Sequence, residues 1–297
     1  MDKEFSIDTV TQGSTEWLEM RKNYIGASDA PILMGVNKFK LNDGRVKTPY
    51  LLWEEKIGIF SGDSNNAATQ YGHKMEPVAR REYEQMSGFL VSPAIVTHSS
   101  VPFMMASLDG INIDKTRAVE IKNCNADDHK EAVMGVVPAH YYPQVQHQLA
   151  CLGHDEMDYF SYHKGEGVIV TVKRDEEYIN KLIEVEKQFW DCVVNIKPPK
   201  KTKNDYTQKY EEWVKYAEGL FLIKQKISEL KQQEKLYEKT LHTLSNGENC
   251  VGGDYLFSMY SRKGNIDYAN IPELKGVDLE KYRKQPISYW KVTKKNF

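Results

Sequence analysis

The sequence predicts an α/β fold, a central mixed sheet flanked by helices and extended on its C-terminal side by one long helix. Three observations predict it. Between Phe103 and Asn123 an apolar run leads into Asp109-Gly110, a short polar turn follows, and in Ala118–Lys122 small or apolar residues alternate with Glu120 and Lys122; that period of two is the signature of a strand. Segments that read as helices, residues 70–83, 144–152 and 175–195, lie on either side of it in the chain. From Asp205 to about Leu244 the composition turns to Lys, Glu, Gln and Leu, with apolar residues at four-three steps, which predicts a long amphipathic helix.

The first helix is expected over residues 13–21. Ser14 or Thr15 can cap it, and Trp17, Leu18 and Met20 give it apolar surface. It stops at Tyr24-Ile25-Gly26-Ala27-Ser28-Asp29-Ala30, after which a second short helix runs to Met34-Gly35. Glycine followed by Ala-Ser at a helix start forms an anion seat, because free backbone N–H groups and the dipole favour a phosphate. Ser28 would add a hydroxyl and Arg21 its planar fork. A tight helix–helix turn with Ser28 as its cap is the alternative. A helix over residues 48–58 and a polar loop from Ser61 to Ala67 come next. In the helix over residues 70–83, Pro77 is tolerated only near the start, which places Glu76 in the early turns close to the sheet. Leu90 to Met105 supplies two strand-like runs.

Alternation puts Glu120 and Lys122 on one side of their strand. If the strand pairs with the run that ends at Asp109, two carboxylates and an ammonium meet where the sheet opens. Carboxylates so close repel unless a cation lies between them, and Mg²⁺ with oxygen ligands fits that role. A water of lowered pKa, oriented by Lys122, then attacks phosphorus in line. Glu76 would be a further ligand, or else a first-turn glutamate that complements the helix dipole. The plainer alternative for Glu120 and Lys122 is an exposed pair on a surface hairpin, worth little energetically.

Residues 123–137 read as a polar helix or loop, punctuated by Pro138 and Pro143. In the helix of residues 144–152, Gln144 and Gln148 share a face with Tyr141, while Val145, Leu149 and Leu152 point to the core. A glutamine there can hydrogen-bond the lysine or a base edge. His129, His140 and His147 match no zinc spacing. Met157–His163 and Val168–Lys173 alternate as strands around Gly165-Glu166-Gly167, a hairpin, and a helix follows over residues 175–195. Pro198-Pro199 then marks a boundary, dividing a core domain of residues 1–197 from an extension of residues 198–297. In the extension Tyr206, Tyr210, Trp213, Ala217 and Leu220 start one apolar stripe that Ile227, Leu230, Tyr237, Leu241 and Leu244 continue. A strand-like piece, Tyr255–Tyr260, the segment 263–268 and a basic, aromatic tail complete the chain. Such a tail suits stacked single-stranded bases or, more commonly, packing onto a helix.

The chain of 297 residues is 40% hydrophobic and 28% charged with a formal net charge of −2. This is the composition of a globular protein with no global attraction to polyanions. A nucleic-acid partner would need a local basic track, for which Arg21 and Lys22, Lys38 and Lys40, Arg80 and Arg81, and Lys200, Lys201 and Lys203 are candidates. Four scattered cysteines form no Cys-x-x-Cys pair, which argues against a zinc ribbon, a disulfide framework and an iron–sulfur cluster. No apolar run is long enough to cross a bilayer and the first residues do not read as a signal peptide, so the expected location is cytoplasmic, with no membrane partner.

Six blocks in order, Gly13-Ser14-x-Glu16-Trp17-Leu18-x-x-Arg21, Ile25-Gly26-x-Ser28-Asp29-Ala30, Gly72-x-x-x-Glu76-Pro77, Ala106-Ser107-Leu108-Asp109-Gly110, Glu120-Ile121-Lys122 and Tyr142-x-Gln144-Val145-Gln146, resemble the YqaJ-type viral recombinase family, the phage lambda exonuclease-like branch of the PD-(D/E)xK nucleases. The resemblance spans roughly residues 13 to 190. It implies a restriction-endonuclease-like core and an Mg²⁺-dependent exonuclease, with Mn²⁺ as a substitute, that degrades the 5′-ended strand of linear duplex DNA. The 3′ single-stranded tail left behind would go to a single-strand annealing protein. The resemblance further implies a homo-oligomer, a ring-like trimer, and a phage or prophage protein working in a bacterial cytoplasm. It matches Asp109, Glu120, Glu76 and the backbone carbonyl of Ile121 to the metal ligands, Lys122 to the catalytic lysine, Gln144 to the motif glutamine, and Arg21 and Ser28 to the 5′-phosphate site. Two positions depart from the pattern: Leu108 stands where a proline precedes the aspartate, and Gln148 where related nucleases often carry tyrosine. The alternatives are a DNA-binding or recombination assembly module with an inactive nuclease centre, and an endonuclease of the same superfamily.

Overall fold

The structure, a computed structural model, describes residues 6–8, 10–38, 40–60, 67–207, 209–259, 271–274 and 277–278. Most of the loop expected at Ser61–Ala67, the segment 263–268 and the basic, aromatic tail lie outside these residues. The chain forms two compact units that divide between residues 206 and 207. Residues 198–206 belong with the first, where Thr48 Oγ1 donates to Asp205 and Lys201 Nζ lies 4.5 Å from the ring centre of Tyr50.

The first unit is built on one mixed sheet. Its strands are β1 (Ser6–Asp8), β2 (Ile25–Gly26), β3 (Val91–Thr97), β4 (Met104–Asn112), β5 (Ala118–Asn123), β6 (Glu156–His163) and β7 (Glu166–Lys173). Six run in the order β1-β3-β4-β5-β6-β7, with β5 and β6 parallel and the other neighbours antiparallel; β2 pairs with β4 in parallel. The helices are α1 (Thr15–Lys22), α2 (Ala30–Leu33), α3 (Pro49–Lys56), α4 (Ala67–Ser87), α5 (Ala126–Val133), α6 (Tyr142–Leu152) and α7 (Glu176–Val194). Ser14, Thr48, Asn125 and Asp175 cap α1, α3, α5 and α7 by accepting backbone N–H groups.

Alternation along β5 divides the core between the two faces of the sheet. Ala118 packs with Val145 and Leu149 of α6, whereas Val119 and Ile121 pack with Ala79 and Tyr83 of α4. The apolar stripe of α6 expected from its sequence is fully buried.

One edge of β4 pairs with β3 along nearly its whole length. The other edge is shared, with Gly110 and Ile111 on β5 and Met104 and Met105 on β2. Residues 106–109 therefore line a split in the sheet. A β-bulge adjoins it: Ser92 pairs with Ile111 and Ala94 with Leu108, so Asp109 and Gly110 together oppose Pro93. Leu108 and Ile111, an odd number of residues apart, both enter the same core cluster, the parity change that an inserted residue produces. Gln12 Nε2 donates to the carbonyls of Ala94 (3.0 Å) and Leu108 (2.9 Å) beside the bulge.

Three expectations change. Asp109 does not end its strand, since β4 continues to Asn112. Pro77 is not near a helix start but lies well inside the 21-residue α4. It sits on the exposed side of that helix, where water can satisfy the carbonyl of residue 73 that lacks an N–H partner, and Asn123 Nδ2 donates to the preceding carbonyl, Gly72 O, at 3.2 Å. In the second unit the long helix α8 runs Glu212–Ser245, so Tyr206 and Tyr210 precede it. It is followed by a hairpin of β8 (Cys250–Gly252) and β9 (Tyr255–Phe257). No helix among the described residues is long and apolar enough to cross a membrane, and the four cysteines are free.

Candidate active site

The split in the sheet gathers the predicted carboxylates and lysine. Beyond the Gly110–Val119 pair the β4–β5 ladder stops, and the N–H of Ile121 donates to Asp109 Oδ2 at 2.8 Å. A strand residue's N–H and C=O point to the same edge, so the Ile121 carbonyl also faces this gap. Glu120 and Lys122 share a face as the alternation requires, with Lys122 Nζ 2.5 Å from Glu120 Oε1. This is no exposed hairpin pair, because Glu120 is only 2% exposed. Two amides of α6 hold the rest of its carboxylate: Gln144 Nε2 donates to Oε1 at 2.6 Å and Gln148 Nε2 to Oε2 at 2.5 Å. Gln148 also reaches the carbonyl of Ser107, inside the split, at 3.2 Å. The Lys122 ammonium lies 5.4 Å from the centre of the Tyr141 ring, a cation–π contact.

Burial, then the charge of Glu120 with a smaller contribution from Glu76, raises the Asp109 carboxyl well above the ordinary range, against the pull of Lys122 and the Ile121 N–H. Burial lowers the Lys122 ammonium, but Glu120 and Asp109 outweigh it and the net shift is upward. Lys122 is thus the counter-ion of a carboxylate pair that repels itself. Glu76 is near enough to act on Asp109 but is held by Arg80, whose Nη2 donates to Glu76 Oε1 at 2.5 Å and whose Nε donates to the Asp109 carbonyl at 3.0 Å. Among the described residues no set of three His, Cys, Asp or Glu side chains is gathered as a ready metal cage. His147 bonds Glu186 and the Met105 carbonyl, His140 lies beside Asp128, and His129 bonds Ser161.

The structure also brings Arg21 and Ser28 together, at the other end of the split. Ser28 closely follows Gly26, which pairs with Met105 of β4, and Arg21 Nη2 donates to Ser28 Oγ at 2.9 Å. Trp17 of α1 donates from Nε1 to Ser107 Oγ at 3.0 Å and lies under the Arg21 guanidinium at 4.7 Å. Beneath them is the buried Asp29, which accepts from the Gly26 N–H at 3.0 Å and from Lys56 Nζ at 2.8 Å. Lys56 Nζ also donates to the carbonyls of Arg21 and Tyr24. Burial opposes the Asp29 charge, yet Lys56 and Arg21 hold its carboxyl well below the usual range.

The roles of Gln148, Arg80, Asp29 and Lys56 are not evident from the sequence alone. Gln148 and Arg80 carry a signal, each standing four residues beyond a predicted site residue on the same helix face. Asp29 and Lys56 meet through folding and carry none.

The model of the YqaJ-like viral recombinase domain matches residues 16–155, which include every residue of this site. The Bacillus subtilis (strain 168) protein YqaJ is 31% identical over 268 residues, 81% of each chain. The chain belongs to the YqaJ-like viral recombinase family. Among solved structures, this family member is similar to the alkaline exonuclease LHK-Exo from Laribacter hongkongensis, with 26% identity and a TM-score of 0.52 over 62% of this chain and 94% of that one. It is also similar to LHK-Exo in complex with dAMP, with 25% identity and a TM-score of 0.53 over the same shares.

Proposed function

We propose that this protein is a metal-dependent 5′-to-3′ exonuclease that acts on linear duplex DNA and leaves 3′ single-stranded tails for an annealing protein. The reading is carried by the convergence of Asp109, Glu120 and Lys122 at a split in the sheet whose other end holds Arg21 and Ser28. Family membership and the likeness to an alkaline exonuclease support it.

The residues fit a hard divalent cation. Two carboxylates and a backbone carbonyl offer oxygen donors alone, and Asp109, raised by burial and by the charge of Glu120, gains from a cation. Asp109, Glu120 and the Ile121 carbonyl would hold Mg²⁺ or Mn²⁺, with Glu76 joining on release from Arg80. Such an ion supplies Lewis acidity to a phosphoryl oxygen and lowers the pKa of a water. Lys122 orients the attacking water and donates to the charge that develops at phosphorus. Gln144 and Gln148 fix the Glu120 carboxylate, as outer partners of metal ligands do. Arg21 and Ser28 grip the terminal phosphate, so a duplex with a phosphorylated 5′ end is the preferred substrate, and homo-oligomerisation, as in a ring, would keep the enzyme on its strand.

Lys122→Ala and Asp109→Asn test the assignment. Each should lower cleavage by orders of magnitude while duplex ends are still bound. Full activity in either would refute the site, and binding without cleavage by the unaltered protein would make it a DNA-binding module.

A further inference from the structure

We propose that α8 is an antiparallel coiled-coil seam by which two copies of this chain pair. Its 34 residues span nearly five heptads. One row of the seam, seven residues apart, is Trp213, Leu220, Ile227, Glu234 and Leu241; the row three residues on is Tyr216, Ile223, Leu230, Tyr237 and Leu244. Nine of these ten positions are apolar, and each of the nine is at least 41% exposed. An apolar stripe that served a straight helix lying on a flat surface would follow a 3.6-residue turn, from which a seven-residue repeat departs by about 20° per heptad. A repeat held for more than four heptads is the pattern of a helix that supercoils around another helix.

The single polar residue of the seam selects the partner and its direction. In an in-register parallel bundle of copies Glu234 meets Glu234, and like charges face each other inside the interface. Run antiparallel, the two rows match one another about a two-fold axis between residues 228 and 229. Ile227 then meets Leu230, Leu220 meets Tyr237, and Trp213 meets Leu244. Glu234 meets the layer of Ile223 and Lys224 of the second copy, so opposite charges lie side by side at two symmetric layers. In this arrangement apolar side chains face one another along the seam and Glu234 lies beside Lys224 of the second copy. A C2 interface has this form, since the same patch serves both partners.

The mass of the full-length protein in solution, by light scattering and sedimentation equilibrium, tests the seam whatever assembly the nuclease unit forms. The Ile227→Glu/Leu230→Glu variant should halve the mass. Lys224→Glu, beside the seam, and Glu234→Lys, within it, should each weaken association about tenfold, and the two together should restore it. A mass unchanged by Ile227→Glu/Leu230→Glu, or a double exchange that fails to restore association, would overturn self-pairing; the first result would assign the seam to a helix of another protein. Nuclease activity on short duplexes should be the same in all four variants, so failure here is separable from failure of the exonuclease reading.

Discussion

The N–H of Ile121 donates to the carboxylate of Asp109 at 2.8 Å, so a side chain takes over from the backbone ladder where β4 and β5 part. Beyond this bond, no strand among the described residues pairs with that edge of β5, the strand that carries Glu120 and Lys122, and the gap between β5 and β2 opens there. The bulge at Asp109-Gly110 aims the carboxylate across the gap, and Arg80 covers the carbonyl that the bulge exposes.

Asp109→Asn separates the two duties of this residue. Asparagine can still accept the Ile121 N–H but removes one of two repelling charges. Cleavage should fall at least about 100-fold, while the metal-free protein should melt no lower, and up to a few degrees higher, at neutral pH. The sign follows from the raised carboxyl: the folded state favours the protonated form, so the charge lowers stability as pH rises above the unfolded value of about 3.9 and has no effect below it. The advantage of the variant should therefore vanish in acid. Thermal melts across pH, paired with a cleavage assay, check both halves.

Gly110→Ala probes the bulge itself. A Cβ at this position would lie 2.5 Å from Val91 Cγ2 and 2.9 Å from Val119 Cγ1, so strands on both sides must move. Overpacking of this kind costs about 1–3 kcal/mol, and the displaced Asp109 should lose metal affinity. Denaturant unfolding and metal titration would show both changes; an unchanged midpoint would mean that β3 and β5 yield freely.

Asp29→Asn removes the buried carboxylate under the Arg21–Ser28 pair and leaves the Lys56 ammonium, whose side chain is 5% exposed, without its counter-ion. The expected loss is about 3–5 kcal/mol at pH 7. Because the folded carboxyl is depressed, the stability it gives is fully present above the unfolded value of about 3.9 and fades as pH falls below that. The gap between wild type and variant in urea should therefore be constant from pH 7 to 5 and narrow at pH 3.

Gln148→Ala leaves Glu120 Oε2 without its amide donor while Gln144 still holds Oε1. Loss of an outer partner of this kind lowers metal affinity or activity about 10- to 100-fold. A Mg²⁺ titration of the cleavage rate should shift to higher concentration and recover much of the rate at saturation. A rate unaffected at every concentration would show that Gln148 only packs.

The parts legible in the sequence were those set by local periodicity or by a short run of residues. Glu120 and Lys122 lie on one face because strands alternate, and Gln144 and Gln148 on one face because helices repeat every 3.6 residues. Ser14 caps because its side chain reaches its own helix. What depends on contacts between distant segments was hidden. The bulge arises from Pro93 opposing Asp109 and Gly110 across two strands, Pro77 is tolerated because its side of α4 meets water, and Glu76 is drawn to Arg80 rather than to Asp109. Asp29 and Lys56 are joined only once α3 docks.

The most direct test is digestion of linear duplex DNA carrying a 5′ phosphate or a 5′ hydroxyl, beside a covalently closed circle, with Mg²⁺ and with EDTA. The account predicts loss of the 5′-phosphorylated strand in Mg²⁺, slower loss with a 5′ hydroxyl, an intact circle, and no digestion in EDTA. Cutting of the circle, or digestion in EDTA, or equal rates at both kinds of end would contradict it.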